Sequence, residues 1–75
     1  MFDSKEELLL KLGYNLKLLR VEKKLTQEQL AEKLDFDRTY IGFIERGKRN
    51  PSYITLCKIS RYFKIPLSVL VQGIK

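Results

Sequence analysis

A chain of 75 residues with a net charge of +6 at pH 7 can bury one modest hydrophobic core, so we expect a single domain over residues 1–75. The charge is uneven, because residues 1–34 carry seven Lys or Arg and six Asp or Glu, whereas residues 35–75 carry eight and three. This excess favours a polyanionic partner, nucleic acid before a membrane surface, with solubility alone as the alternative explanation.

Cysteine usage and the N-terminal residues indicate the compartment. Cys57 is the only cysteine, so no intramolecular disulfide can form and a reducing environment is expected. The opening MFDSKEELLLKLG has neither the basic start nor the long apolar run of a secretory signal or a membrane span. We therefore expect a cytoplasmic protein that does not act at a membrane.

Capping boxes predict where the first two helices begin. SKEE at residues 4–7 and TQEQ at residues 26–29 each place a hydroxyl side chain three residues before an acid or amide that completes the motif. The first helix contains Gly13, which indicates close packing at that point rather than a break. Leu8 and Leu10, in the N-terminal extension, either join a dimer interface or cover the core.

Three more helices follow in the second half of the chain. Asp37 is expected to cap a third helix that runs to about Arg46 and ends at Gly47, a residue suited to the left-handed conformation. Ser52 caps the fourth helix, and Pro66 precedes the fifth. The predicted fold is all-α, a compact bundle of five helices.

The second and third helices are short and are joined by LDFD, which is typical of a helix-turn-helix at about residues 26–46. At about 100° per residue, Ile41 and Ile44 share one side of the third helix. A glycine inside a helix is unfavourable by about 0.8 to 1.0 kcal/mol relative to alanine, so Gly42 indicates that DNA or a neighbouring side chain approaches closely. The side predicted to face DNA carries Arg38, Thr39, Gly42, Phe43 and Arg46.

The segment LTQEQLAEKLDFDRTYIGFIERGKRNPSYITLCKI, preceded by LKLLR, resembles the Cro/C1-type helix-turn-helix regulators over residues 12 to about 70. DRTYI followed by ERGKRNPS is further similar to the controller proteins of restriction-modification operons. The resemblance implies a five-helix domain similar to the DNA-binding domain of lambda repressor. It also implies a transcriptional regulator that binds double-stranded DNA as a homodimer, on a palindromic operator.

The resemblance implies roles for five residues, four in the helix-turn-helix and one in the first helix. Gln27 matches a glutamine that contacts phosphate, and Arg38 and Thr39 match positions that read base edges. Chemistry agrees, because an arginine can donate two hydrogen bonds to guanine O6 and N7, while a threonine can bond to a base or touch a thymine methyl. Arg20 and Glu45 match a structural salt bridge.

The end of the third helix supplies the other candidates for DNA contact. Phe43 matches a base-facing position, where it would meet thymine methyls, with packing on a neighbouring helix as an equal alternative. For Tyr40, packing beside the core and a contact to a DNA phosphate or base are equal alternatives. Arg46, Lys48 and Arg49 are expected beside the phosphates, with Arg49 also within reach of a base edge.

The fifth helix, at about residues 67–75, is the expected dimerisation surface through Leu67, Val71 and Ile74. It would hold the two third helices about 34 to 36 Å apart, the separation of successive major grooves. The alternative function is an antitoxin-like interaction module that binds a partner protein and regulates its own operon. Such a module is expected to carry a further partner-binding tail, and the sequence ends directly after the fifth helix.

Enzymatic activity is not expected. The sequence has no His, no cluster of metal ligands, no glycine-rich phosphate loop and no nucleophile beside an evident base. The expected protein therefore has no catalytic residues, no cofactor, no metal site and no small-molecule ligand. Its regulation would act through its own concentration and the occupancy of the operator.

Overall fold

The computed structural model describes residues 4–72, which form five helices and no strand. In chain order the helices are α1 (Lys5–Glu22), α2 (Gln27–Leu34), α3 (Tyr40–Glu45), α4 (Tyr53–Phe63) and α5 (Leu67–Leu70). The predicted all-α fold of five helices is confirmed. No helix in this part of the chain has the length and apolar character needed to span a lipid bilayer.

Side-chain caps fix where three of the helices begin. Ser4 with Glu7 and Thr26 with Gln29 form complete capping boxes, in which each side chain accepts a hydrogen bond from the backbone N–H of the other residue. Ser52 caps α4 through its hydroxyl oxygen. These caps satisfy amide groups that the first turn of a helix leaves without a partner, which is why the sequence predicts these three starts well.

The predicted start of α3 is wrong, because α3 begins at Tyr40 rather than directly after Asp37. Asp37 instead organises the turn before the helix. Its carboxylate accepts hydrogen bonds from the backbone N–H and the hydroxyl of Thr39, at 2.9 and 2.6 Å, and its carbonyl accepts the N–H of Tyr40 at 3.0 Å. The bonds from Thr39 lower the pKa of the Asp37 carboxyl below its ordinary value. A tight turn therefore presents Arg38 and Thr39.

The end of α3 follows the prediction. Gly47 has a positive φ of 70°, in the left-handed region that glycine enters without a steric penalty. Its N–H donates to the carbonyl of Ile44 at 3.0 Å, and the N–H of Lys48 donates to the carbonyl of Phe43 at 2.9 Å. This is the Schellman pattern of a helix end. It sets the direction in which the chain leaves α3 and thereby the place of the basic residues that follow.

One hydrophobic core lies between the helices and receives side chains from all five. Burial of a large aliphatic side chain contributes about 1.5 to 3 kcal/mol, so this core, rather than intrinsic propensity, holds the short α3 in a helical form. Ile41 and Ile44 of α3 are in the core, as predicted from the helical spacing. The full set of core residues is Leu12, Leu16, Leu30, Ala31, Ile41, Ile44, Ile59, Phe63 and Leu70.

The backbones of α1 and α3 approach each other closely at Gly13. A Cβ atom at this position would lie 2.6 Å from the carbonyl oxygen of Glu45 and would also meet the carbonyl of Ile44. The close packing predicted for Gly13 is confirmed. Because Gly13 has no side chain, the backbone of α3 can lie directly against the backbone of α1.

The predicted dimerisation helix extends beyond what the structure describes. The described α5 is Leu67–Leu70, and Ile74 lies outside the described residues. Leu67 and Val71 are half-buried and pack against the core of their own chain, so only part of each side chain is open to a second chain. Asn15 of α1 anchors this region, because its side-chain amide donates to two backbone carbonyls around the end of α5, at 2.9 and 2.7 Å.

Candidate nucleic-acid interface

The helix-turn-helix is formed by α2, a turn and α3, which pack on each other and on the core through one side. Asp35 ends α2 in the left-handed conformation, with φ 58°, and the N–H of Phe36 donates to the carbonyl of Ala31 at 2.8 Å. These bonds reverse the chain between the helices. The opposite side of α3 and the turn before it are left at the surface.

A buried polar network holds the inner side of α3. Arg20 donates to both carboxylate oxygens of Glu45, at 2.7 and 3.1 Å, and also to the carbonyl of Leu25 at 2.6 Å. The side chains of the pair are only 11% and 4% exposed, so the carboxylate of Glu45 is matched inside the protein. Gln27 donates its amide to the same carboxylate at 2.9 Å. The network joins α1, the start of α2 and the end of α3.

Gly42 is covered by two side chains rather than left open at the surface of α3. It is buried, and a Cβ atom there would lie 2.9 Å from Oε1 of Gln27 and 3.1 Å from Nη1 of Arg46. The close approach inferred from the glycine is therefore made by neighbouring side chains. Gln27 passes over Gly42 to reach Glu45, and a methyl group here would have to displace the flexible end of that side chain.

The outer side begins with Arg38 and Thr39, both exposed. The guanidinium of Arg38 lies 3.9 Å from the carboxylate of Glu28, and the two side chains are 77% and 65% exposed. A contact of this length between solvated groups is worth little and leaves the guanidinium able to change partner. The Thr39 hydroxyl donates to Asp37, and its oxygen can still accept a hydrogen bond.

Phe43 lies close to two arginines. The guanidinium carbons of Arg46 and Arg49 are 5.0 and 5.5 Å from the centre of its ring, within the range of a cation–π contact. Such contacts at exposed sites contribute about 0.5 to 1 kcal/mol. The ring, half-buried itself, thus holds two cations beside the end of α3.

Tyr40 and Lys48 differ in their surroundings. Tyr40 is half-buried, packs against the core and makes an edge-to-face contact with Phe36, with ring centres 5.2 Å apart. Packing is therefore part of its role. Lys48 is exposed immediately after the helix end. A surface depression joins the turn to the end of α3 and is lined by Asp37, Thr39, Tyr40, Phe43 and Arg49.

Comparison with known proteins shows which family has this arrangement of helices. A helix-turn-helix family model matches residues 16–70, more than half of the chain. The chain belongs to the helix-turn-helix family. It is 48% identical over 67 residues to control protein C.MunI of a Mycoplasma species, and the alignment covers 88% of this chain and 90% of that protein.

Two further proteins, one compared by sequence and one by structure, are also similar to this helix-turn-helix protein. It is 44% identical over 59 residues to the immunity repressor protein of Bacillus phage phi105, which covers 79% of this chain and 41% of the repressor. Its fold superposes on the restriction-modification controller protein C.AhdI from Aeromonas hydrophila with a TM-score of 0.77, at 40% identity, over 83% of this chain and 94% of that one. The predicted resemblance to helix-turn-helix transcriptional regulators, and to restriction-modification controllers among them, is confirmed.

Only Leu10 of an exposed apolar surface on α1 was predicted from the sequence as a candidate for an interface. Leu10, Tyr14, Leu18 and Val21 are large apolar residues of α1 that remain exposed. Their spacing of four, four and three residues is a helical pattern and was open to recognition. The pattern is hard to recognise because buried leucines occur in the same stretch of α1. The helical spacing of the exposed apolar residues is therefore mixed with that of the buried ones.

Proposed function

We propose that this chain regulates transcription as a cytoplasmic homodimer on a palindromic operator, with α3 of each copy in a major groove, as a controller of the restriction-modification type. The observation that carries the proposal is the division of charge across α3. On the inner side Glu45 is matched by Arg20, whereas the exposed arginines flank α3: Arg38 precedes its start, and Arg46 and Arg49 follow its end. Exposed cations on one side of a helix-turn-helix fit a polyanionic duplex.

Base edges are read by the turn and the outer side of α3 in this proposal. Arg38 and Thr39 stand at the start of the helix, where side chains of a recognition helix reach into the groove. Arg38 would donate two hydrogen bonds to a guanine, and Thr39 would meet a base or a thymine methyl. Phe43 and Arg49 line the same depression as Thr39 and complete the set of base-contacting candidates.

Contacts to the sugar-phosphate backbone surround the base contacts. Arg46 and Lys48 lie where the chain leaves α3, and each would neutralise a phosphate. Gln27 uses one amide hydrogen for Glu45 and retains a second for a phosphate oxygen. The hydroxyl of Tyr40, whose ring packs against the core, is the remaining candidate for a backbone contact.

The homodimer is proposed to form through the C-terminal residues Leu67, Val71 and Ile74. A monomer of this size buries a small fraction of its surface, so a second copy is a natural source of further burial. The two-fold axis of such a dimer would give a palindromic operator, with half-sites about 34 to 36 Å apart. No catalytic or cofactor chemistry is required by this function.

Selection from a pool of random duplexes, followed by footprinting of the selected sequence, tests the proposal. We expect an enriched palindrome with two protected half-sites, and the same pattern upstream of the gene that encodes the chain. The variant Arg38→Ala serves as the control and should lose enrichment at one base pair of each half-site. A pool that shows no enrichment at low salt would refute the assignment of sequence-specific binding.

A further inference from the structure

Gly42 and Arg46 are one helical turn apart, Gly42 inside α3 and Arg46 at its C-terminal end. Residues four apart in a helix are neighbours on its surface, and each side chain leans toward the N-terminal end. The side chain of Arg46 therefore extends back toward position 42. Glycine has no Cβ atom, so the backbone of α3 is open to the close approach of another group at this position.

The guanidinium of Arg46 lies beside the space that a side chain at position 42 would take. A Cβ atom there would lie 3.1 Å from Nη1 of Arg46 and 2.9 Å from Oε1 of Gln27. The guanidinium carbon is also 5.0 Å from the centre of the Phe43 ring. Arg46 thus lies among the Gly42 backbone, the Gln27 amide and the Phe43 ring, and these three groups are named the Gly42 cleft.

The Gln27 amide is oriented by its partner on the inner side of α3. The carboxylate of Glu45 can only accept hydrogen bonds, so the amide presents its nitrogen to that carboxylate, at 2.9 Å. The amide oxygen is then on the side of Gly42, near the same point as Nη1 of Arg46. An oxygen near a guanidinium is a favourable neighbour. The buried network therefore fixes one side of the cleft.

We infer that Gly42 positions the guanidinium of Arg46 before DNA is bound, so that the phosphate contact of Arg46 depends on this glycine. The inference rests on the proposed function, which gives Arg46 a phosphate. A guanidinium has five N–H donors in a planar fork that suits two phosphate oxygens. Within residues 4–72 no hydrogen bond uses the donors of Arg46, so they remain for the phosphate.

Positioning matters because a long side chain loses rotamer freedom when it binds. Arg46 is exposed, and an arginine without contacts at the surface would have to be ordered by the DNA. In the Gly42 cleft much of that ordering is already present. Gly42→Ala places a methyl group against the ends of Arg46 and Gln27, and both flexible ends must then move. The backbone of α3 need not move, so binding should change while the fold is retained.

A double-mutant cycle on DNA binding tests the inference. The probe is a duplex of arbitrary sequence at low salt, because phosphate contacts do not depend on base sequence. Gly42→Ala should weaken binding by roughly two- to tenfold for each bound copy, which corresponds to ordering one side chain. In the Arg46→Ala background the same change should cause no further loss.

Lys48→Ala provides the matched control for this cycle. Lys48 is an exposed cation that follows the end of α3 and takes no part in the Gly42 cleft. Gly42→Ala should therefore weaken binding by its full factor in the Lys48→Ala background, because distant and independent changes add. Thermal melts of all variants verify that each remains folded.

A salt series separates the position of Arg46 from its charge. Arg46→Ala should reduce the slope of log K against log salt by about 0.9 for each lost phosphate contact. Gly42→Ala should leave the slope nearly unchanged, because the cation is still present and only its ordering is lost. Arg46→Lys should also keep the slope, but Gly42→Ala should then have less effect, because a lysine is a flexible point charge without a planar fork.

Nitrogen-15 relaxation of the arginine Nε–H groups measures the positioning without DNA. The Nε–H of Arg46 should be ordered in the unmutated chain and mobile in Gly42→Ala. Arg38, whose side chain is 77% exposed, is the internal reference and should be mobile in both.

Two results would overturn the inference: an equal loss from Gly42→Ala with and without Arg46, or an Arg46 Nε–H as mobile as that of Arg38 in the unmutated chain. Failure of the proposed function gives a different result. A chain that binds every duplex alike, with the coupling of Gly42 and Arg46 intact, would refute operator recognition alone. A chain that binds no duplex at low salt would refute both.

Discussion

Arg20 and Arg38 show how one kind of side chain has two roles in this protein. Arg20 is 11% exposed and donates to both oxygens of a buried carboxylate, whereas Arg38 is 77% exposed and lies 3.9 Å from a solvated one. The first arginine has its hydrogen bonds satisfied by the fold. The second keeps its donors for a partner outside the chain. The two sides of α3 therefore separate stability from recognition, and substitutions can test that separation.

The largest effect is expected on the inner side. Arg20→Met leaves Glu45 buried without its cation, so the free energy of unfolding should fall by roughly 3 to 5 kcal/mol. Urea denaturation at neutral pH measures it. The double variant Arg20→Met, Glu45→Leu removes both charges and should recover a large part of the loss. A single variant as stable as the unmutated chain would mean that the network does not hold α3.

Gly13 and Gly42, the two glycines inside the described helices, should respond differently to alanine. Gly13→Ala brings a methyl group against the backbone carbonyls of α3, which cannot move aside, and should destabilise the fold by about 1 to 3 kcal/mol. Gly42→Ala meets only the ends of Gln27 and Arg46, and the gain in helix propensity of about 1 kcal/mol offsets that contact. Paired thermal melts compare the two. Equal losses would contradict the difference between backbone and side-chain neighbours.

The sequence predicts the inner side of this molecule better than the outer side. Caps at Ser4, Thr26 and Ser52 and the spacing of the core leucines depend on local chemistry, which the sequence states directly. The place of Gly42 depends on the path of Gln27, a contact between two helices that no periodicity contains. Wheel geometry alone therefore could not predict that Gln27 and Arg46 cover Gly42.

The outer surface could be predicted as a set of residues but not as an arrangement. The resemblance names Phe43, Arg46 and Arg49, yet the stacking of both guanidiniums on one ring depends on the direction that the chain takes after Gly47. The same holds for Asp37, whose bonds to the turn replace the helix cap expected from its position. Such details require the fold itself.

On the outer side, Arg38 and Lys48 should affect binding in different ways. Arg38→Ala should weaken operator binding by about 1 to 3 kcal/mol per half-site and relax the preference at one base pair, with nonspecific binding much less affected. Lys48→Ala should weaken all duplexes similarly and reduce the slope of log K against log salt by about 1 for each lost phosphate contact. Both variants should melt near the temperature of the unmutated chain, because both side chains are exposed.

Isotherms at several salt concentrations, on operator and scrambled duplexes, separate these outcomes. If Arg38→Ala weakened binding to both duplexes equally, base reading would have to be reassigned to Thr39, Phe43 or Arg49. A stability loss in Arg38→Ala comparable to that of Arg20→Met would remove the distinction between the two sides altogether.

A smaller effect is expected from substitution of Phe43, whose ring contacts Arg46 and Arg49. Phe43→Leu keeps an apolar side chain but removes the cation–π contacts with Arg46 and Arg49, worth about 0.5 to 1 kcal/mol at an exposed site. Operator affinity should fall modestly, because both arginines must then be ordered on binding. Phe43→Tyr keeps the ring and is the control. In a double-mutant cycle with Arg49→Ala, additive losses would show that the ring does not position that arginine.

The smallest expected effect concerns the turn that presents Arg38 and Thr39, and it depends on pH. The hydrogen bonds from Thr39 lower the pKa of the Asp37 carboxyl in the folded chain below its ordinary value of 3.8. Because the folded pKa is the lower one, the carboxylate stabilises the fold fully above the ordinary pKa, and this contribution is lost as the pH falls through the lowered pKa. Asp37→Asn cannot accept in the ionised form at any pH, so the variant should be less stable than the unmutated chain near neutral pH and should approach it in acid. Urea denaturation of both chains between neutral pH and acid measures the difference, and a difference that stays constant with pH would mean that the Asp37 charge does not hold the turn.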